Sequence, residues 1–256
     1  MNELVSIVST LYNYRRFVKD LIVSVIRQTY PYWELIIVDD CSTDRPLENV
    51  IHRYLKDKRI QYIRLAKNCG YSIAKNEGVV RSKGKYIVMI DADDMLTKGS
   101  IEIRKKLLDN NPDKLWCHGE VLVKNNNSLS DCSIIWKRSF RKRLVREGWD
   151  LTKQYHHRLI HAQSVMLRPE LHKKLGLYDE SLRFSADNEM WRRVIRFGHI
   201  PAHTEEFVAI YRVHPDRMSR SKYKAKRKAQ VKKKIITDVE QRFKDGINSE
   251  NTRLWL

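Results

Sequence analysis

Cysteine is scarce in this chain, and its four occurrences form no motif. Cys41, Cys69, Cys117 and Cys132 include no CxxC pair and have no histidine at zinc-ligand spacing. That pattern excludes a structural zinc site and predicts reduced thiols in a cytosolic protein. No apolar run approaches the roughly 20 residues of a membrane span. Met1-Asn2-Glu3 leads straight into a strand pattern, so neither a transmembrane helix nor a secretory signal is expected. There is no internal repeat, and the one biased block is a Lys-rich stretch near the C-terminus. Acidic residues are in short supply: 31 Asp+Glu face 50 Lys+Arg, a formal net charge of +19 over 256 residues. Apolar content of 42% still supports a real core, in one large α/β domain or a domain plus subdomain.

The positive surplus is concentrated in the second half. Residues 1–120 hold 20 Lys+Arg against 16 Asp+Glu, whereas 121–256 hold 30 against 15. Two stretches dominate, one beginning at Trp136-Lys137-Arg138 and one over residues 212–234 that includes Lys222-Tyr223-Lys224-Ala225-Lys226-Arg227-Lys228. A charge run is most often a solvated helix face, yet a surplus this one-sided favours a polyanionic partner, either nucleic acid or an anionic membrane surface. Apolar positions in the tail are too sparse for insertion into lipid, which leaves electrostatic attachment.

Short apolar runs alternate with helical patterns through the first half. Strands are expected at 4–10, 34–38, 60–65 and 86–90, and helices at 15–28, 46–55 and 72–81. This βαβα order predicts a mostly parallel sheet covered by helices on both faces. Further on, the pattern predicts strands at 116–123, 162–167 and 207–213, a polar loop at 125–130 and a helix at 186–197. Ligands of such sheets bind beyond the carboxyl ends of the strands. Three polar clusters share that address: Thr10-Leu11-Tyr12-Asn13, Asp39-Asp40 and Asp91-Ala92-Asp93-Asp94.

The last cluster carries the most chemistry. Side chains alternate along a strand, so Asp91 and Asp93 project to one side where the strand stops. Two carboxylates so placed suit a hard divalent cation such as Mg²⁺ or Mn²⁺, whose shell is commonly completed by phosphates. On its own, such a cluster is more often a solvated acidic turn.

Its neighbours point to a family. The segments 5–13 (VSIVSTLYN), 24–44 (SVIRQTYPYWELIIVDDCSTD), 68–70 (NCG), 74–78 (AKNEG), 91–94 (DADD), 186–191 (ADNEMW) and 211–214 (YRVH) resemble, in order, the family 2 glycosyltransferases of GT-A fold. That resemblance implies an inverting, metal-dependent enzyme moving a hexosyl or pentosyl group from a nucleotide-diphosphate sugar, with UDP the expected nucleotide. It places Thr10 and Tyr12 around the nucleoside and Asp40 on the uracil ring, where a carboxylate accepts from the imide N–H. Asp39 is then free to face inward and order its loop. Asp91 would hold the ribose or assist the metal, Asp93 would be the main metal ligand, and His214 would reach the metal–diphosphate site. Asp94 either supports those ligands or starts the next turn. Asp187 matches the general base that takes the acceptor proton, although Asp also suits a helix cap. Two departures concern orientation: Ala186 stands where the family often has an acid, and Lys75, assigned here to the donor site, stands where it has an arginine.

The resemblance also implies an organisation. Residues 1–117 would form the nucleotide-sugar-binding half, 118–215 the acceptor and catalytic-base half with an irregular fold, and 216–256 a basic helical tail. The acceptor would be an anionic or carrier-linked saccharide, with the protein cytoplasmic and peripheral at the membrane surface. A glycosyltransferase acting on modified-base DNA is the alternative, with Trp136, Phe140, Trp149 and Tyr155 available for stacking; a non-catalytic GT-A binding protein is a third reading. Replacing Lys224, Lys226, Arg227 and Lys228 with Gln should weaken attachment to anionic vesicles measured by sedimentation. Duplex DNA is the competing ligand, for which log affinity would fall with log salt by about 0.9 per phosphate neutralised. Unchanged, salt-insensitive behaviour toward both would make the tail an ordinary solvated surface.

Overall fold

A computed structural model describes residues 2–44, 48–125, 132–133, 160–183, 185–217, 237–239 and 241. The near-continuous apolar runs become strands buried on both faces. Every residue of β1 (Val5–Leu11) and β2 (Trp33–Asp39) is buried, as is β4 (Tyr86–Asp91) up to its last residue. β3 (Ile60–Arg64) forms the sheet edge, and there only Ile60 is buried. These four strands run parallel. β5 (Met95–Leu96), β6 (Trp116–Asn125), β7 (Cys132–Ser133), β8 (Val165–Leu167) and β9 (Ala202–Val213) continue the same sheet in the order β3-β2-β1-β4-β8-β6-β9-β5, with β7 beside β6. Orientation is mixed in this second part: β8 is antiparallel to β4 and β6, while β6 and β9 are parallel.

Strand alternation feeds two cores. Val5 and Ile7 of β1, with Val88 and Ile90 of β4, meet α1 (Arg15–Ile26) and α4 (Ser100–Asp109) on one face. Val8, Ile87 and Met89 point the other way. They pack with α3 (Tyr71–Arg81), α5 (Glu170–Leu175) and α6 (Ala186–Arg196). Helices therefore cover both faces, as the alternating pattern predicts. Among the described residues, no helix is long and apolar enough to cross a membrane.

Several boundaries differ from the sequence expectation. The helix expected at 46–55 is a single turn, α2 (Glu48–Ile51), followed by a 3₁₀ turn at His52–Tyr54, and 45–47 lie outside the described residues. The strand expected at 162–167 begins as a 3₁₀ turn, Ala162–Ser164, and extends only from Val165. β9 starts five residues before the expected 207: His203 pairs with His118, and Thr204-Glu205-Glu206 form a bulge opposite Gly119, so the stretch carries no apolar alternation. Most of both basic stretches, the polar loop after Asn125, and Trp136, Phe140, Trp149 and Tyr155 fall outside the described residues.

Gly78 sets how closely α3 approaches the sheet. A Cβ there would lie 2.2 Å from Cγ1 of the fully buried Val8. Gly78→Ala should therefore destabilise by about 1–3 kcal/mol, against the roughly 1 kcal/mol that alanine gains in helix propensity. Urea unfolding reads this directly, and a midpoint equal to or above wild type would refute the close approach.

Candidate active site beyond the parallel strand ends

The parallel strands end level with one another. Thr10 lies opposite Asp91, Leu11 opposite Asp39, and Asp39 opposite Arg64. A cavity of about 770 Å³ opens beyond these ends. Six of the eight residues singled out from sequence line it: Thr10, Tyr12, Asp40, Asp91, Asp93 and Asp187. Lys75 and His214 stand behind that wall.

The two aspartates at the end of β2, Asp39 and Asp40, separate as strand alternation requires. Asp39 is fully buried and accepts hydrogen bonds from Ser42 N–H (2.8 Å), the Tyr62 hydroxyl (2.6 Å) and Arg64 Nη1 (2.6 Å), which fastens the following loop. Asp40 reaches the cavity wall, and its carboxylate accepts the backbone N–H groups of Cys69 (2.6 Å) and Gly70 (2.8 Å). Gly70 presents its amide from φ +99°, a conformation that side chains disfavour. Burial pushes the Asp40 carboxyl above its usual range, while the two amides pull it back. Each carboxylate oxygen has two lone pairs, so capacity remains for a ligand donor.

Asp91, Asp93 and Asp94 each offer an oxygen, and these lie within 4.8 Å of one another. Burial is the largest influence on Asp91, raising its carboxyl to about 6; Lys75 opposes the rise, and Asp93 and Asp187 add to it. Asp94 is raised well above the carboxylate range, again by burial first and then by Asp93 and Asp91. Crowded carboxylates resist full ionisation, and a divalent cation relieves the repulsion that otherwise holds protons. An all-oxygen donor set of this kind fits Mg²⁺ or Mn²⁺.

The surroundings fix this turn. His214 Nε2 donates to Asp93 Oδ2 at 2.9 Å, and its ring is fully buried against Phe17 (4.5 Å between centroids) and the edge of Tyr14 (5.5 Å). The histidine thus meets the cluster through Asp93, and its Nδ1 is buried without a partner. Asp94 does more than start a turn. It accepts the Arg212 backbone N–H at 2.8 Å, while the Arg212 guanidinium bonds the Asp93 carbonyl (3.0 Å) and Asp20 (2.7 Å). β9 is thereby laced to both the DADD turn and α1.

Asp187 lies in the first turn of α6, but it is not the cap. Ser185 holds that position at φ 65° with no side-chain cap bond. The carboxylate of Asp187 instead reaches α3: one oxygen accepts the Tyr71 hydroxyl at 2.8 Å and the other is ion-paired with the Lys75 ammonium. Lys75 is fully buried between the rings of Tyr71 (4.4 Å) and Tyr178 (5.0 Å). In this structure it therefore holds Asp187 and does not line the donor cavity. Tyr71 also touches Asp91 Oδ1 at 2.8 Å. Sequence reasoning passed over Tyr71, whose one signal was its place between the NCG and AKNEG segments. Arg183 and Arg217 on the cavity wall were missed as well; Arg217 donates to the Tyr211 hydroxyl at 3.0 Å and Arg183 to Asn68.

The family model described as Glycosyl transferase family 2 matches residues 6–168. The chain belongs to that family. A Bacillus subtilis protein named as a teichuronic acid biosynthesis glycosyltransferase, TuaG, is 27% identical over 226 residues, covering 88% of this chain and 85% of its own length. An uncharacterized glycosyltransferase of Methanocaldococcus jannaschii is 32% identical over 217 residues, covering 82% and 71% respectively. Among solved structures, Staphylococcus aureus TarS 1–349 in complex with UDP-GlcNAc superposes with a TM-score of 0.65 at 17% identity, over 85% of this chain and 61% of that one. The mannosyltransferase PcManGT from Pyrobaculum calidifontis, with GDP-Man and Mn²⁺, gives 0.63 at 16%, over 83% and 57%. At these identities the likeness concerns the fold, and it is that of GT-A glycosyltransferases. This family 2 glycosyltransferase thus carries its acidic cluster and Asp187 on one cavity.

The crowding of that cluster has a pH consequence. To coordinate a cation Asp91 would first have to lose its proton, and its carboxyl is raised to about 6. Mn²⁺-dependent UDP binding, followed by calorimetry, should weaken as pH falls through that value, by about tenfold or more at pH ~5 relative to pH ~7.5. Equal affinities at the two pH values would show that Asp91 does not compete with the metal for a proton.

Proposed function

We propose that the enzyme transfers a sugar from a UDP-linked donor, with inversion, to a hydroxyl of a cell-surface saccharide. The observation that carries this reading is the shared contact of Tyr71 with Asp91 and Asp187, which sets the expected base one hydroxyl away from the donor-side carboxylates. A UDP-GlcNAc complex of a protein with this fold, TarS, supports the choice of donor class. A relative named for teichuronic acid biosynthesis supports the acceptor class, as does the surplus of cationic residues after position 120. The division into a donor half, 1–117, an acceptor half, 118–215, and a basic tail belongs to this same reading, as does attachment at the cytoplasmic membrane surface.

In the proposed reaction the nucleoside lies against Thr10 and Tyr12, with Asp40 accepting from the base. Asp91, Asp93 and Asp94 would hold Mg²⁺ or Mn²⁺, with His214 bound to Asp93; when bound, the cation would neutralise charge on the leaving diphosphate. Asp187 receives the proton of the acceptor hydroxyl as that oxygen forms its bond to the anomeric carbon. The bond from that carbon to the diphosphate breaks on the opposite face. A single displacement inverts the anomeric configuration, and no covalent sugar–enzyme link forms.

A panel of UDP-sugars tested for metal-dependent thermal stabilisation identifies the donor for turnover assays. Asp93→Ala should then remove most turnover together with metal-dependent UDP binding. Asp187→Asn should leave UDP binding intact and lower transfer by about 10²–10⁴, with product of opposite anomeric configuration to the donor. Transfer by Asp187→Asn at the wild-type rate, or retained configuration by NMR, would refute the mechanism.

A further inference from the structure

The polar side chains that neighbour Asp187 along α6 are committed elsewhere. Asn188 accepts from Arg192 Nε at 3.0 Å, and Glu189 is ion-paired with Arg193, both partners being buried. Ala186 is fully buried and has no polar group to offer. Among the described residues, the side chains on the Asp187 carboxylate are Tyr71 and Lys75, both from α3. Lys75 holds one oxygen as a point charge, which leaves the rotation of the carboxylate to be set by the other contact.

That contact is well anchored. Tyr71 is the first residue of α3, directly after Gly70, whose amide is bonded to Asp40. Its ring packs against the core formed by α3, α5 and α6, and its hydroxyl lies 2.8 Å from both Asp91 Oδ1 and Asp187 Oδ2. One short segment thus runs from the carboxylate at the nucleoside end of the cavity, through Tyr71, to the donor-side and acceptor-side carboxylates.

We propose that Tyr71 is a positioning residue for transfer: its hydroxyl, bridging Asp91 and Asp187, fixes the orientation of Asp187 toward the acceptor, which the neutral residue at 186 cannot do. The inference rests on the reading of Asp187 as the base. Tyr71→Phe is the informative variant because it keeps the ring under Lys75 and removes only the hydroxyl. Tyr178→Phe is its control. Tyr178 also flanks Lys75, but its hydroxyl is buried without a partner.

The experiment compares wild type, Tyr71→Phe and Tyr178→Phe by crystallography, by calorimetry with UDP and Mn²⁺, and by release of UDP from the UDP-sugar that best stabilises wild type. For Tyr71→Phe the Asp187 carboxylate should turn from its wild-type position, and kcat should fall about tenfold to a hundredfold, as expected for a misplaced reacting group. Donor KM and UDP affinity should stay within about threefold, because the loss is confined to the transition state. Tyr178→Phe should match wild type throughout. An unmoved Asp187 in the Tyr71→Phe crystal structure, or a kcat equal to that of Tyr178→Phe, would overturn the proposal. If wild type releases UDP from no donor, the transfer reading fails instead, and the crystal structures still decide whether Tyr71 orients Asp187.

Discussion

Like charges repel, and the mouth of this cavity gathers Asp40, Asp91, Asp93, Asp94 and Asp187 around the ends of parallel strands that bring their own carbonyl dipoles. Much of the local structure can be understood as the means of holding them there. Each carboxylate has a polar partner, one of them shared: two backbone amides for Asp40, His214 for Asp93, the Arg212 amide for Asp94, Lys75 for Asp187, and the Tyr71 hydroxyl between Asp91 and Asp187. The partners come from residues 69–75, which open α3, and from the end of β9, so two remote stretches of chain converge on one charge problem. Where a partner does not cancel the burial cost, the acid holds its proton more tightly, as at Asp91 and Asp94. The cation of the proposed function would relieve that crowding, since Asp91, Asp93 and Asp94 each offer it an oxygen.

The parts of this arrangement that were legible in the sequence are those with a one-dimensional signature. A strand buried on both faces must be apolar throughout, so β1, β2 and β4 stood out as runs, and the acids that follow them stood out as interruptions. What the sequence hid is pairing across elements. Lys75 sits in a recognisable segment, yet nothing in that segment says that its ammonium pairs with Asp187 at the start of α6 and does not line the cavity. Tyr71 has no motif, and its role appears only when α3 and α6 are set against the end of β4. The early half of β9 was invisible for another reason. β9 bulges opposite Gly119, where a Cβ would lie 2.8 Å from the Glu206 carbonyl, so the close approach there is one of backbone and leaves no side-chain periodicity.

The second half of the sheet is tied to the site by the same bonds that steady the acids. Arg212 binds the Asp93 carbonyl and Asp20 while its amide binds Asp94, which joins β9, the DADD turn and α1 at one residue. His214, two residues on, extends this clamp to Asp93 and packs its ring on Phe17 and Tyr14 from the α1 side. A shift of β9 would therefore move the acidic cluster, and whatever occupies that cluster bears on β9. Arg217, at the end of the described stretch and on the cavity wall, is carried by that same strand end.

Lys75 gives Asp187 a second duty besides the proposed chemistry. A fully buried ammonium is tolerated because a carboxylate is ion-paired with it and two tyrosine rings flank it. Removing one partner of such a pair leaves an uncompensated charge, a loss of about 3–5 kcal/mol where solvent cannot enter. Asp187 is 22% exposed at the cavity, so water can reach the vacated place and the cost falls below that range. The ion pair therefore anchors one oxygen of Asp187 with a cation that does not line the cavity, and leaves the rotation of the carboxylate to its contact with Tyr71.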